Sequence, residues 1–579
     1  MRTRWVRLPS TSPNRDYGIP PSSPTRRGVA KPGLKRSVLT REIASSDLSS
    51  LPDFFYESED MTMANKTLFA SLRDALIPQT DTVNSENAPA YALAPKQALA
   101  QYAATGCFGR TFYATADEQL TCVLELCEAV DPRFVAQLAV YSRTQSFMKD
   151  MPAMLCAWLS ARDAHLHEEV FARVIDNARM LRTYVQILRS GVVGRKSLGT
   201  APKRLVREWL ASRDEDALFS SSAGQSPSLS DIVKMVHPKP AGPTRQAFYG
   251  YMLGRSYDAN ALPKLVMQFE QFKAGESLDV PDLPFMLLSA LPLAKKDWVS
   301  IAKNASWQTT RMNLNTFARH GVFESEGLAG IIAARLRDAS EIQRARVFPY
   351  QLLTAYQNCD ATVPQEVRDA LQDAMELAIS NVPAIAGRVV VCPDVSGSMQ
   401  SPVTGHRRGS TTAVRCIDVA ALVAASVLRK NSTATVLPFD YGVVSLDLNS
   451  RDSVMTNAGR LASVGGGGTN CSAPVQMLNK RKASADLIIF VSDNESWVDA
   501  GRGRGTALMA EWSEFRQRNP KARLVCLDIQ PNQTTQAAER ADILNIGGFS
   551  DRVFEVISLF AAGQLEADHW IARIEAVAV

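Results

Sequence analysis

The chain has 579 residues, 46% of them hydrophobic and 21% charged, with a formal net charge of +5. That length excludes a single core and argues for about three or four domain-sized units, with the composition of an ordinary soluble globular protein. No apolar run is long enough to cross a bilayer, and so mild a charge neither demands nor forbids nucleic acid, since clustering counts for more than the sum. The nine cysteines form no CxxC pair and have no His at zinc spacing. Buried thiols in a reducing cytosol are therefore expected, and a disulfide framework is not.

Residues 1–62 set Arg2, Arg4, Arg7, Arg15, Arg26, Arg27, Lys31, Lys35 and Arg36 among Pro, Ser and Gly, with no apolar periodicity. Such a segment cannot bury enough surface to offset its ordering entropy, so a disordered basic arm is expected. It is either an arm for nucleic acid or sequence upstream of the true start. Met61 and Met63 stand just before a helical pattern at 65–76, which favours the second. From 63 to 383 the pattern is helical almost throughout, with apolar residues at i, i+3, i+4 and i+7. Helices are expected at 118–128, 132–141, 151–159, 168–190, 202–211, 262–272, 329–338 and 364–378. No strict short period repeats, so a HEAT-like α-solenoid is the economical packing.

At 384–579 the periodicity changes. Short β-rich runs at 388–391, 433–438, 443–448, 486–491 and 523–529 alternate with helices at 413–429, 507–518 and 551–560. That alternation predicts a doubly wound, mostly parallel sheet, whose ligand sites lie at the carboxyl ends of its strands.

The first such end carries Asp394-Val395-Ser396-Gly397-Ser398. One carboxylate and two hydroxyls are hard oxygen ligands suited to Mg²⁺. Alone, the pentapeptide fits a capped helix start equally well. Two further stretches sit where a cation site would need them: Thr469 behind the four glycines 465–468, and Asp493 at the end of another apolar strand. Neither glycine-rich stretch, 465–468 nor 501–505, ends in the Gly-Lys-Ser/Thr of a phosphate loop.

Asp, two Ser, Thr and a second Asp in this order resemble the metal-ion-dependent adhesion site of von Willebrand A domains. The resemblance implies that Ser396, Ser398 and Thr469 bind a divalent cation directly. Asp394 and Asp493 would act through water or from behind, and one position would stay open for an acidic ligand. A helical solenoid followed by an A domain resembles the Ro autoantigen family, whose helical portion is the TROVE module. Carrying the likeness are Cys107-Phe108-Gly109 with Thr111-Phe112-Tyr113, Phe147-Met148-Lys149-Asp150-Met151-Pro152, and Gly191-Val192-Val193-Gly194-Arg195-Lys196. Val236-His237-Pro238-Lys239-Pro240, Thr310-Arg311-Met312-Asn313-Leu314-Asn315 and Asp493-Asn494-Glu495 continue it.

The resemblance implies a ring of helical repeats closed by the A domain. Small structured (Y-like) RNA would bind outside, and single-stranded 3′ ends of misfolded RNA would enter the hole. By the same likeness Lys196, Lys203, Arg204 and Arg207 would contact the RNA backbone, and His237 the structured RNA. Arg311, Asn313, Asn315 and Arg319 would line the hole. Basic residues on a helix face are commonly just solvated, and Asn is a common capping group. One departure is plain: residues 219–225 carry no cation where vertebrate members of the family have a basic segment.

The expectation is a non-enzymatic cytoplasmic RNA-binding protein acting in RNA quality control or processing, with room for an exoribonuclease partner and no role for membrane or DNA. The competing reading is a protein-interaction scaffold whose A-domain metal grips an acidic partner. Six His in all, with no Ser/His/Asp or Cys/His order and no evident general base, argue against an enzyme.

Overall fold

The computed structural model describes residues 77–106, 110–224, 227–345, 349–379, 382–403, 414–497, 505–548, 551–564 and 569–579. All of them fall in one compact unit, Leu72–Val579. The expected N-terminal arm, the helix at 65–76, the Cys107-Phe108-Gly109 stretch and most of the glycine-arginine run at 501–505 lie outside the described residues.

Helices fill the chain from Pro95 to Ala378, and their starts follow local chemistry. Thr115 and Glu118 form a reciprocal capping box, as do Ser228 and Asp231, each satisfying two otherwise orphaned donors. Pro132 follows an Asp131 cap at the first helical position, where its missing N–H costs nothing. The single helix expected at 168–190 is two, Ala164–Val174 and Ala178–Ser190. Asn177 takes an extended conformation and accepts from the Met180 amide at 3.0 Å, and this cap starts a new helix inside an apolar pattern that reads through. Asp150–Arg162 is buried on nearly every face, which marks it as a central helix of its layer.

The sheet begins at β3. The eight described strands are β1 (Thr82–Val83), β2 (Pro89–Ala92), β3 (Val389–Pro393), β4 (Thr435–Val436), β5 (Leu487–Ser492), β6 (Arg523–Asp528), β7 (Thr534–Thr535) and β8 (Ile543–Gly547). Five form a fully parallel sheet in the order β4-β3-β5-β6-β8. β3 and β5 are buried at every residue, as expected of strands covered by helices on both faces. The next strand after β3 pairs on one side of it and β5 on the other, so the strand order reverses at β3. Open α/β sheets place their ligand crevice at such a point. The strand expected at 443–448 is absent: Val443 makes only an isolated bridge to Phe439, and the rest is irregular. β8 lies outside the expected strands.

The helical and sheet portions close on each other at both ends. β1, β2 and β7 make a small antiparallel sheet, with Tyr91 opposite Thr535. At the other end of the chain, His569–Glu575 packs on Pro132–Thr144. There Gln137 donates to the Val577 carbonyl at 3.1 Å, Arg173 to that of Ala578 at 2.6 Å and Arg133 to that of Val579 at 3.2 Å. Between these closures, Glu376 accepts from the Val454 amide (3.0 Å) and pairs with Arg429 (3.1 Å), joining the last solenoid helix to the A-type portion. One continuous core runs through both portions. Among the described residues no helix is long and apolar enough to cross a membrane, and the eight described cysteines are free, seven of them buried.

Candidate functional site

The turn after β3, the end of β5 and the glycine loop between them in sequence carry the five expected cation residues. Asp394 and Asp493 end adjacent paired strands. Asp394, Ser396, Ser398, Thr469 and Asp493 are all buried. Beyond β3 the backbone is held by Asp394 N–H to the Val491 carbonyl (2.9 Å) and Val395 N–H to that of Phe439 (2.9 Å). The glycine loop threads against this turn: Gly397 N–H donates to Gly467 and Gly466 N–H to Val395, both at 2.8 Å. Gly465 sits at φ +85°, and a Cβ there would collide with the Val395 carbonyl. Only glycine lets the loop approach closely enough to bring Thr469 in.

Within the site, Ser396 and Ser398 hydroxyls lie 3.2 Å apart. Asp394 accepts from the Ser396 amide (2.9 Å) and the Ser492 hydroxyl (2.5 Å). Burial pushes the Asp394 carboxyl up to about 6, against hydrogen bonds that favour its charged form. Burial and then the neighbouring Asp394 hold Asp493 well above the usual carboxylate range. Asp528, which accepts from Gln101 at 3.1 Å, is raised by burial and by Asp493 and Glu495. Several carboxylates sharing one buried place cannot all ionise without a counter-charge.

Mg²⁺ fits this donor set. Asp493 Oδ1 is buried with no hydrogen-bond partner among the described residues, a costly state for a carboxylate oxygen that a cation would relieve. Hydroxyls would be essential to the holding, because among the described residues no three His, Cys, Asp or Glu side chains are grouped to hold a metal.

The RNA-directed residues fall in two places. Helix Thr200–Ala211 carries Lys203, half-buried, with Arg204 and Arg207 exposed; Lys196 is exposed on the loop before it. Arg204 is spanned by Glu168 (2.5 Å) and Glu208 (3.0 Å). Arg207 donates through Nε to the carbonyl of Val236, which ties the basic helix to the next residue, His237. That histidine caps helix Leu229–Val236 in the left-handed region at φ 50° and is exposed. The cation-poor stretch before this helix is touched from elsewhere: Arg182 donates to the Ser221 carbonyl at 3.1 Å.

Farther along, Arg311 donates to Gln351 O (2.8 Å), Asn313 to Thr309 O (2.8 Å) and Asn315 to Asn358 O (2.7 Å). These groups brace helices, and Arg319, at the end of Leu314–Arg319, is exposed.

Sequence reasoning missed the groups that the helical portion sends to the cation site. Tyr113 lies near Ser398 and Asp493, and Ser85 clasps Glu495 through its amide and hydroxyl. Thr111-Phe112-Tyr113 and Asp493-Asn494-Glu495 were visible as separate motifs, but nothing local links them.

Fold and site define a class: a helical-repeat protein closed by a von Willebrand A domain with an Asp-x-Ser-x-Ser site at its switch point. Residues 388–561 match the family model of the Ro60 vWA domain. The likeness extends over both portions. The chain is 25% identical to the RNA-binding protein RO60 of Deinococcus radiodurans over 86% of its own length and 100% of that protein. It is 23% identical to the RNA-binding protein RO60 of Caenorhabditis elegans over 40% of this chain and 37% of that one. The crystal structure of the Deinococcus radiodurans RO (RSR) protein shares the fold, with a TM-score of 0.56 at 20% identity, covering 82% of this chain and 100% of that one.

Proposed function

We propose that this protein binds small structured RNA and the single-stranded 3′ ends of misfolded RNA through its helical portion. It would act as a cytoplasmic ribonucleoprotein in RNA quality control or processing, by binding and not by catalysis. The observation that carries the reading is the match to the RNA-binding protein RO60 of Deinococcus radiodurans over 86% of the chain. The physical support is local. Lys203, Arg204 and Arg207 share one short helix with Lys196 on the loop before it, and the Arg207–Val236 bond ties that helix to the turn at His237. Cations so grouped would neutralise phosphates with a strong salt dependence, while His237 would rest against the folded part of the RNA.

Filter binding of a structured RNA with a free 3′ tail tests this. Wild type should bind at low salt. Replacing Lys203, Arg204 and Arg207 with neutral residues should weaken binding across sequences and reduce the salt slope by about one per lost phosphate contact. Absence of binding at low salt, or unchanged affinity in the triple variant, would refute it.

A second reading, an A domain whose Mg²⁺ holds an acidic protein, is favoured by the exposed Tyr441 and Trp497. The two rings pack edge to face at 5.5 Å beside the glycine loop. A pull-down comparing wild type and Asp394→Ala, with and without chelator, decides it. Capture that ignores both changes would exclude the cation.

A further inference from the structure

Apart from the basic helix and the cation site, the helical portion holds a cleft of about 290 Å³. Its floor belongs to the core: Leu283, Leu288 and Ile301 are buried. Phe285 lies beside them and packs on Trp298 with ring centroids 5.8 Å apart, and Trp298 stacks in turn on His320 at 4.1 Å. One wall is built by prolines, whose rings fix φ. Leu283 N–H donates to the Pro281 carbonyl (2.8 Å) and Leu287 N–H to that of Pro284 (2.9 Å), closing two tight turns. The other wall is helix Lys295–Asn304, from which Ser300 and Asn304 line the cleft. Lys296 stands in the same row one turn earlier, since residues four apart share a helix face, whereas its neighbour Lys295 is paired with Glu324 at 2.5 Å. Asp282 completes the rim. Among the described residues the side chains of Asp282, Ser300 and Asn304 have no hydrogen-bond or ion-pair partner, while Ser306 and Thr309, also at the edge, bond each other at 2.9 Å.

We propose that this cleft takes one unpaired nucleotide of the bound RNA, with a preference for a base that carries an exocyclic amino group. The inference rests on the RNA reading above and adds a site to it. The volume is at the lower edge of the about 300–1,000 Å³ of small-molecule sites, which suits a single flat ring with its sugar. The base lies against Phe285 and the aliphatic floor, a contact every base can make. Asp282 accepts from the amino group, as carboxylates do from the N4 of cytosine; uracil presents a carbonyl oxygen there and is repelled. Ser300 and Asn304 can each donate or accept, so they adapt to the rest of the edge. Lys296 neutralises the phosphate. A paired base is shut out, because its edge is already bonded and its faces are stacked. The apolar side chain of a protein partner would fill the floor but leave Asp282, Ser300 and Asn304 unmatched, and for that reason RNA is the better occupant. The proline turns and the buried floor shape the cleft before RNA arrives, so little ordering is needed on binding.

Filter binding of the full chain tests the site, using a structured RNA with a single-stranded 3′ tail of cytidines or of uridines. Iodinated cytidine in the tail adds a photocrosslink. Wild type should hold the cytidine tail about threefold to tenfold more tightly than the uridine tail, with crosslinks in 280–309. Asp282→Asn, at an exposed position, should bring the two tails within about twofold of each other. Ser300→Phe fills the cleft from its half-buried wall and should weaken the cytidine tail about fivefold to a hundredfold, the loss of one stacked base. Lys296→Ala should weaken both tails alike and reduce the salt slope by about one. Circular dichroism checks that each variant is folded. If wild type binds neither RNA, the RNA reading falls and the cleft with it. If wild type binds both tails equally, or keeps its full preference in Asp282→Asn with no crosslink in 280–309, the cleft proposal alone is overturned. Unchanged RNA affinity in folded Ser300→Phe would overturn it too, and is the result expected of a socket for a protein side chain.

Discussion

At the residue scale the cation site is an arrangement of oxygens whose cost is set by burial. Asp394 stands at about 6 and Glu495 at about 7, both raised mainly by burial. Between about pH 4 and 7 these carboxyls, with the raised Asp493 and Asp528, hold protons that unfolded carboxyls have lost, and they outnumber the buried His167, lowered to about 4, which works the other way. Stability must then fall as pH rises through that window. Without divalent cation, thermal unfolding should shift to lower temperature between pH 5 and 7. Glu495→Gln should flatten the shift, and Mg²⁺ should reduce it; a melting temperature that rises across this window would refute the assignment. Gly465 carries a second prediction. At φ +85° with the Val395 carbonyl against its Cα, Gly465→Ala should cost about 1–3 kcal/mol, read by urea unfolding. The aspartates, serines and Thr469 could be nominated from the sequence only as a set, because the Asp-x-Ser-x-Ser stretch alone fits a capped helix start equally well. Ser85 could not, since its partner Glu495 is brought to it only by the fold.

At the element scale, the helices and buried strands followed from periodicity wherever an amphipathic face met a core. They failed where one capping residue outweighed the pattern, as Asn177 does between Val174 and Ala178. β4 is short and partly exposed, so its neighbouring β-rich run at 443–448 had no partner to pair with and stayed irregular. The basic helix Thr200–Ala211 carries two arginines with different work. Arg204 is an exposed ion pair, worth little to stability in high dielectric, whereas Arg207 bonds the carbonyl next to His237. Arg204→Ala should leave the melting temperature unchanged and weaken RNA. Arg207→Ala should weaken RNA and also speed amide exchange around 233–237. Equal effects of both variants on exchange would contradict this division.

At the scale of the whole molecule, the chain closes on itself: β2 pairs with β7, and the C-terminal helix returns to Pro132–Thr144. Trp570, buried in this closure, is its anchor. Trp570→Ala should cost about 3–5 kcal/mol in denaturant unfolding, and a cost under about 1 kcal/mol would show the closure to be peripheral. The order of solenoid then sheet was legible, because a shift from helical to alternating apolar pattern is a property of long stretches. The closure was implied only by family resemblance, since the pairing of Tyr91 with Thr535 leaves no local signal at either end. The work proposed for the molecule divides in the same way: the helical portion would hold RNA and the A domain the cation. Crosslinking in the native cell, followed by sequencing of the RNA and mapping of the crosslinked peptides, tests that division most directly. The expected result is RNA enriched for a small structured species or for free 3′ ends, with crosslinks in 196–237. RNA no richer than in a mock purification, or crosslinks confined to 388–561, would contradict it.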